Sequence, residues 1–193
     1  MPDMPLAPDT TNEQDGGMPP LIHWLEEGRI GGMARPGRMG QAVDADLNAL
    51  LRHGVSMIVS LTAEWTPPRD VIAALGLESL HVPIPDWHPP TLQQAIETCE
   101  VVSATLAAGR PVVFHCQAGR GRTGTMIAAL LIWEDPDFDA AIARVKSVNM
   151  HWIETDAQML FLKDFAAHRR GTRGTQPVLG RVTPTGRSTE ESG

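Results

Sequence analysis

Apolar positions along this chain switch repeatedly between two periods. "VSMIVSL" (55–61) and "VVFH" (112–115) are short, mostly apolar runs bounded by turn formers, which predicts buried strands. "SLHVPI" (79–84) predicts another strand; Pro83 has no amide hydrogen, so that strand lies at a sheet edge or ends there. "LIHWLEEGRIGG" predicts a hairpin turning at Glu26-Glu27-Gly28. Between these runs the spacing becomes helical. Asp44 can cap a helix carrying Leu47, Leu50 and Leu51, and Gly54 stops it. "PPRDVIAALG" (67–76) has proline at its start and glycine at its end, as a short helix requires. Thr91 and Gln94 form a capping box, after which Leu92, Ala95, Ile96, Cys99, Val102 and Leu106 share one face up to Gly109. Residues 122–133 are apolar nearly all round, the pattern of a central helix. Asp137 caps a helix over 138–147, and a second box, Thr155 to Gln158, opens a last helix reaching about Arg170. Strands alternating with helices predict an α/β fold with a single central sheet flanked by helices.

Composition changes this picture little. The 193 residues are 42% apolar and 20% charged, enough for one soluble domain with tails. No apolar run reaches the roughly 18 residues of a membrane span. The first twenty residues have neither a basic start nor an apolar segment, so they do not read as a secretory signal. Two cysteines, Cys99 and Cys116, cannot build a disulfide scaffold, and a reducing cytoplasm is the default compartment.

Charge is more telling. The net charge of −7 is uneven: residues 1–20 hold four acids and no base, residues 21–168 hold 17 acids against 11 Lys/Arg, and residues 169–193 hold 5 Arg against 2 Glu. The acidic body argues against nucleic acid as a partner and against stable membrane association. Residues 1–20 and the basic stretch 171–193 read as disordered tails around a 21–170 catalytic domain, which is expected to be a monomer.

The chemistry concentrates in "VVFHCQAGRGRTGTMIAALL" (112–131), where a buried strand runs through a glycine-rich loop into a buried helix. Such a loop gathers unpaired backbone N–H groups at a helix start. Gly119, Gly121 and Gly124 allow unusual dihedrals, so the amides of Gln117, Ala118, Gly119, Arg120 and Gly121 can turn inward as a cradle for a tetrahedral oxyanion. Dipoles arranged in this way favour the thiolate of a cysteine at their centre, which makes Cys116 a candidate nucleophile. Arg122 can grip two phosphate oxygens with its planar fork, which lysine cannot. The Thr123 hydroxyl can reach the sulfur and stabilise it as a leaving group. His115 reads as a brace that bonds loop backbone and holds the cysteine, rather than as a base. The alternative phosphate loop, G-x-x-x-x-G-K-[ST], fails because no lysine follows Gly121 or Gly124.

"HCQAGRGRTG" resembles the HC-x5-R-[ST] signature loop of the cysteine-dependent protein tyrosine phosphatase superfamily. With "VSLT", "PIPDWHPP" and "IETDAQ" in the same order, residues 20–168 are similar to the small atypical dual-specificity phosphatases. The signature loop is highly specific; the other three pieces are weak alone. The resemblance implies a phosphatase working through a cysteinyl-phosphate intermediate, with no cofactor; the seven histidines form no H-x-x-x-H or Cys/His ligand set, so no metal is expected. The resemblance also implies a general acid on a loop about thirty residues before the cysteine. Asp86 in "IPDWHPP" stands there, and Pro83, Pro85, Pro89 and Pro90 around it imply a loop held nearly closed.

Other positions keep two readings at this point. Glu154 can orient Arg122 by a salt bridge and Gln158 can position water, or both are ordinary helix-start residues. His88 touches substrate or faces solvent. Cys99 packs in the core or acts as a resolving thiol. The substrate implied first is protein phosphotyrosine, with phosphoserine and phosphothreonine tolerated, because the chain is short and lacks a match to the recognition loop of tyrosine-only members. A phosphoinositide or other small phosphorylated molecule comes second; neutral Gln117 occupies a position where lipid phosphatases of the superfamily tend to carry a base. A phosphate-binding module without activity requires loss of Cys116, Arg122 or Asp86, and all three are present. A rhodanese-like sulfur transferase leaves Asp86 and Thr123 unexplained.

Overall fold

A computed structural model of the chain describes residues 20–173, and the stretches expected to be disordered lie almost wholly outside the described residues. Five strands form one mixed sheet: β1 (His23–Glu26), β2 (Ile30–Ala34), β3 (Met57–Thr62), β4 (Glu78–Ile84) and β5 (Val112–Cys116), in the order β1-β2-β5-β3-β4. β1 and β2 make the expected antiparallel hairpin, and the other neighbours pair in parallel. Of the two places Pro83 allows, β4 takes the sheet edge and runs on to Ile84. Parallel strands need crossover connections, which the helices supply. These are α1 (Val43–Arg52), α2 (Arg69–Ala74), α3 (Leu92–Ala107), α4 (Gly121–Glu134), α5 (Phe138–Val148) and α6 (Asp156–Arg173).

Side chains alternate across a strand, so β5 feeds two cores. Val112 and Phe114 pack with Ala95 and Val102 of α3, Ile127 of α4 and Phe165 of α6. Val113, on the opposite face, packs with Leu47 and Leu50 of α1, Ile58 of β3 and Ile72 of α2. α4 is buried along nearly its whole length, as its apolar circumference predicts.

Both capping boxes form: Thr91 Oγ1 accepts from the Gln94 amide while Gln94 Oε1 accepts from the Thr91 amide, and Thr155 and Gln158 reciprocate in the same way. Asp137 caps α5 through the Ala140 amide.

Three expectations need correction. Ala42, not Asp44, occupies the cap of α1, and Asp44 sits inside the first turn, where its charge still suits the helix dipole. Leu92 is exposed, although it shares the spacing of the buried face of α3. α6 runs to Arg173, three residues past the expected end of the domain.

The parallel pairing puts the C-terminal ends of β2, β3, β4 and β5 along one edge of the sheet. The segments that follow them, 35–42, 63–68, 85–91 and 117–120, therefore meet there. In open α/β sheets this is the edge that carries ligand sites.

Candidate active site

Cys116 ends β5 at the middle of that edge, buried, and α4 begins five residues later at Gly121. The loop between them owes its shape to close packing as much as to glycine freedom. Gly119 alone of its three glycines has a positive φ, +69°. It also lies against β2, where a Cβ would come within 2.4 Å of the Met33 carbonyl carbon. Gly121 and Gly124 are helical, and what excludes a side chain there is a neighbour. A Cβ on Gly121 would meet Glu154 and Gln158 at 2.9 Å, and one on Gly124 would meet the Trp152 Cβ at 2.3 Å. Unusual dihedrals at all three positions are thus not what the loop uses. The buried Trp152 indole donates to the Gly119 carbonyl at 3.1 Å and pins the loop from the α6 side. The Gly121 amide donates to Glu154 Oε2 at 3.0 Å.

His115 braces the loop by another route than expected. Its Nε2 pairs with the Ser60 hydroxyl on β3 at 2.6 Å, while Nδ1 lies against the Cys116 backbone without a well-aligned bond. Complete burial pulls its pKa down to about 3, so the ring is neutral at ordinary pH. Its outer edge meets the Trp65 ring, T-shaped, at 5.6 Å between centroids.

Arg122 is the most constrained cation of the site, with 1% of its side chain exposed. Its Nη1 and Nη2 donate to Glu64 Oε2 and Oε1 at 2.8 and 2.7 Å, a bidentate pair. Nη1 also donates to the Ile84 carbonyl at 3.0 Å. Burial works against its charge, but Glu64, the Cys116 sulfur and Asp86 outweigh that and raise its pKa. In return the Arg122 hydrogen bonds hold the Glu64 carboxyl at a pKa of about 2, well below the usual range. Of the two readings of Glu154, the pairing with Arg122 is not formed; Glu154 instead binds the Gly121 amide and faces Arg120 at 3.9 Å.

Sequence reasoning missed Glu64. A carboxylate just past the end of β3, the strand beside β5, is the signal that could have found it, because that end of the sheet carries the loop.

Asp86 follows β4, and its Oδ1 reaches Arg122 Nη2 at 3.0 Å, which brings the proline-rich loop to the mouth of the cradle. The next residue, Trp87, is 60% exposed and has φ +64°. A non-glycine residue held in that region costs on the order of 1–3 kcal/mol and persists only where its surroundings fix it. Here they are the start of α6. Thr155 Oγ1 donates to the Trp87 carbonyl at 3.2 Å, and Gln158 Nε2 to the His88 carbonyl at 3.4 Å.

Gln158 is therefore committed to the helix cap and the Asp86 loop, and has little left with which to hold water. His88 is exposed and its Nδ1 pairs with the Asp86 carbonyl, which fits the turn reading. Ala63, Glu64, Pro85, Asp86 and Gln117 line a shallow open cleft on this side.

Besides His115 Nδ1, two polar groups in the site are buried without a hydrogen-bond partner: Arg122 Nε and the Thr123 hydroxyl. The expected bond from Thr123 to the sulfur is not formed. Cys99 is buried in the helix-side core, where loss of solvation pushes its thiol far up and keeps it protonated; it suits packing rather than redox exchange.

A sheet edge that carries a cysteine in an HC-x5-R-[ST] loop, an arginine locked beneath it and an aspartate at its mouth defines a class, the cysteine-dependent phosphatases. Comparison with known proteins narrows it. The family model described as "Polymorphic toxin system, DSP-PTPase phosphatase" matches residues 31–136, and the chain belongs to that family. Its family is that of the small dual-specificity and protein-tyrosine phosphatases, whose members are cysteine-dependent hydrolases.

Mouse "Phosphatidylglycerophosphatase and protein-tyrosine phosphatase 1" is 34% identical over 95 residues, which cover 47% of this chain and 48% of that protein. The chain spans between about a tenth and a half of the curated relatives it matches. Among solved structures, Tk-PTP in its active form superposes with a TM-score of 0.67 at 26% identity, over 76% of this chain and 96% of that one. PTPMT1 in complex with PI(5)P shares the fold, with a TM-score of 0.67 at 21% identity, over 79% of this chain and 98% of that one.

Proposed function

We propose that Cys116 is the nucleophile of a two-step phosphomonoester hydrolysis and Asp86 its proton donor. The Cys116 thiolate attacks phosphorus and the ester P–O bond breaks, leaving a cysteinyl-phosphate. Asp86 gives its proton to the departing oxygen. Water then attacks phosphorus, Asp86 takes the proton, and phosphate leaves with the thiolate restored. The amides of Gln117, Ala118, Gly119, Arg120 and Gly121, with Arg122 Nε and Nη2, stabilise the equatorial oxygens. Thr123, whose hydroxyl has no other partner, donates to the sulfur as it departs in the second step. His115 positions the loop through Ser60, while Glu154 and Gln158 hold the helix start and the acid loop.

One observation carries this reading. Asp86, thirty residues before Cys116, lies 3.0 Å from the arginine of the Cys116 loop. The catalytic unit on this reading is residues 21–170, acting as a monomer in the cytoplasm; among the described residues no helix is long and apolar enough to cross a membrane.

The first substrate is protein phosphotyrosine, with phosphoserine and phosphothreonine accepted, because the cleft beside Asp86 is too shallow to select by side-chain length. A second reading, a phosphoinositide or other small phosphate, gains support from Arg35. Gln117 is neutral, but Arg35 Nε donates to Gln117 Oε1 at 2.9 Å and so brings a cation to that position.

The test is leaving-group dependence. Cys116→Ser should abolish turnover of p-nitrophenyl phosphate while oxyanion binding persists. Asp86→Asn should slow phosphotyrosine cleavage by about 10²–10⁴, and cleavage of esters with very good leaving groups far less. Equal slowing of both ester types would remove Asp86 from the proton-donor role.

A further inference from the structure

On the far side of Gln117 and Ala118 from the Asp86 cleft lies a second recess of about 300 Å³. Met33, Ala34, Arg35, Arg38 and Met39 line it, with Pro20 and Leu21 at its edge and Ala118 of the cysteine loop in its wall. Two arginines on one tight turn give it its charge. Arg35 is half-buried and fixed in place. Its Nε donates to Gln117, its Nη1 donates to the Pro36 carbonyl at 3.1 Å, and its guanidinium lies 5.5 Å from the centre of the Trp65 ring. All these partners are neutral, and among the described residues no carboxylate pairs with Arg35 or with Arg38. The carboxylate of Asp46 also lines the recess, but Oδ2 accepts from the Gly37 amide at 2.7 Å and braces the turn that presents both arginines.

Half-buried cations are ordinarily paired, because leaving one unpaired costs solvation without return. A cation fixed by neutral groups beside an oxyanion cradle is preorganised for a second anion. His23 and Gln41 add polar groups to the wall, and Pro20, Leu21, Met33, Ala34, Met39 and Ala118 make up its apolar part.

We infer that this recess is a second-phosphate subsite: among small-molecule substrates it favours those carrying another phosphate, monoester or diester, close to the phosphate being cleaved. The inference rests on the proposed hydrolytic role of Cys116 and deepens the second substrate reading. At about 300 Å³ the recess is at the lower limit of small-ligand sites. It holds one phosphorylated group and a few carbons, not an extended peptide backbone. The charge of Arg38 is available to the ligand, while Arg35 also steadies Gln117.

Arg38→Gln is the clean variant, since no hydrogen bond or ion pair joins the Arg38 side chain to the described residues of the cysteine loop. Four substrates should be compared in both proteins: p-nitrophenyl phosphate, a soluble inositol bisphosphate, dispersed dioctanoyl phosphatidylinositol 5-phosphate, and a peptide carrying phosphothreonine and phosphotyrosine. Wild-type turnover of p-nitrophenyl phosphate tests the hydrolytic reading separately, so failure there is distinguishable from failure of the subsite. In Arg38→Gln that turnover should be unchanged. With the inositol bisphosphate, the lipid or both, kcat/KM should fall about tenfold, the equivalent of one charge-assisted hydrogen bond, and through KM. The loss should shrink as salt is raised.

A loss with the soluble compound alone assigns a free phosphate, and a loss with the lipid a headgroup; either supports the subsite. No selective loss with either would overturn it. So would a loss confined to the doubly phosphorylated peptide, or an equal loss with p-nitrophenyl phosphate.

Discussion

Glu64 shows how much of this site depends on one side chain away from the cysteine loop. A buried guanidinium has several staggered ways to lie, and only a bidentate partner on a fixed strand end selects one of them. Glu64→Gln keeps the shape and one acceptor but loses the charge and the symmetric grip. The expected result is a drop in kcat of about 10–100-fold, the scale of a misplaced reacting group, with a melting temperature changed by only a few degrees. The modest stability effect follows from Glu64 being 42% exposed, so that solvent already screens its charge. Steady-state kinetics beside a thermal melt checks both halves; unchanged kcat would show that Ile84 and Asp86 suffice to hold Arg122. The lesson for reading the sequence is also local. The residue types of the loop announced their own chemistry, while the partner of Arg122 went unread, because a glutamate 58 positions away says nothing by itself.

Among the elements, the start of α6 does more for the site than its sequence suggests. "IETDAQ" was legible as a helix start, and the capping box forms as expected. The same few residues also touch the Gly121 amide, the Trp87 carbonyl and the His88 carbonyl. One helix start thus ties the cradle to the acid loop. The prolines predicted a restrained loop; the restraint includes this tie, which permits the left-handed Trp87. Gln158→Leu removes the His88 half of the tie together with the helix cap, and leaves the cradle residues in place. We expect kcat to fall about tenfold or more toward phosphotyrosine, part of the 10²–10⁴ that the proton donor supplies. Esters with very good leaving groups should be affected much less. Parallel measurement on both ester types checks this, and a uniform loss would mean that α6 acts through the cradle instead.

At the scale of the molecule, the sheet order decides what sits beside what. β5 lies between β2 and β3, so the cysteine loop has the arginine turn on one side and Glu64 on the other. Its central place also buries His115 completely, and that leaves a mark on global stability. The folded ring stays neutral down to about pH 3, whereas in the unfolded chain it takes up a proton below about 6.5. Between these values the unfolded state binds more protons, so stability rises with pH across the window and this contribution is flat above it. The slope for one such group is at most about 1.4 kcal/mol per pH unit. Denaturant midpoints at pH 5 and pH 7 should therefore differ less in His115→Asn than in the parent protein. Equal differences would place the ring in contact with solvent.

By itself the sequence determined the alternation of elements, both capping boxes and the identity of the chemical loop, and it limited β4 to a sheet edge or an end at Pro83. Each of these is set by short-range rules: periodicity, missing donors, and residue types a few positions apart. Only the tertiary structure decided that Arg122 is held by Glu64 and not Glu154, that His115 leans on Ser60, and that Arg35 stands beside Gln117. Those pairings join residues 58, 55 and 82 positions apart along the chain. They arise because parallel strands gather their carboxyl ends on one edge, and no local pattern encodes which ends become neighbours.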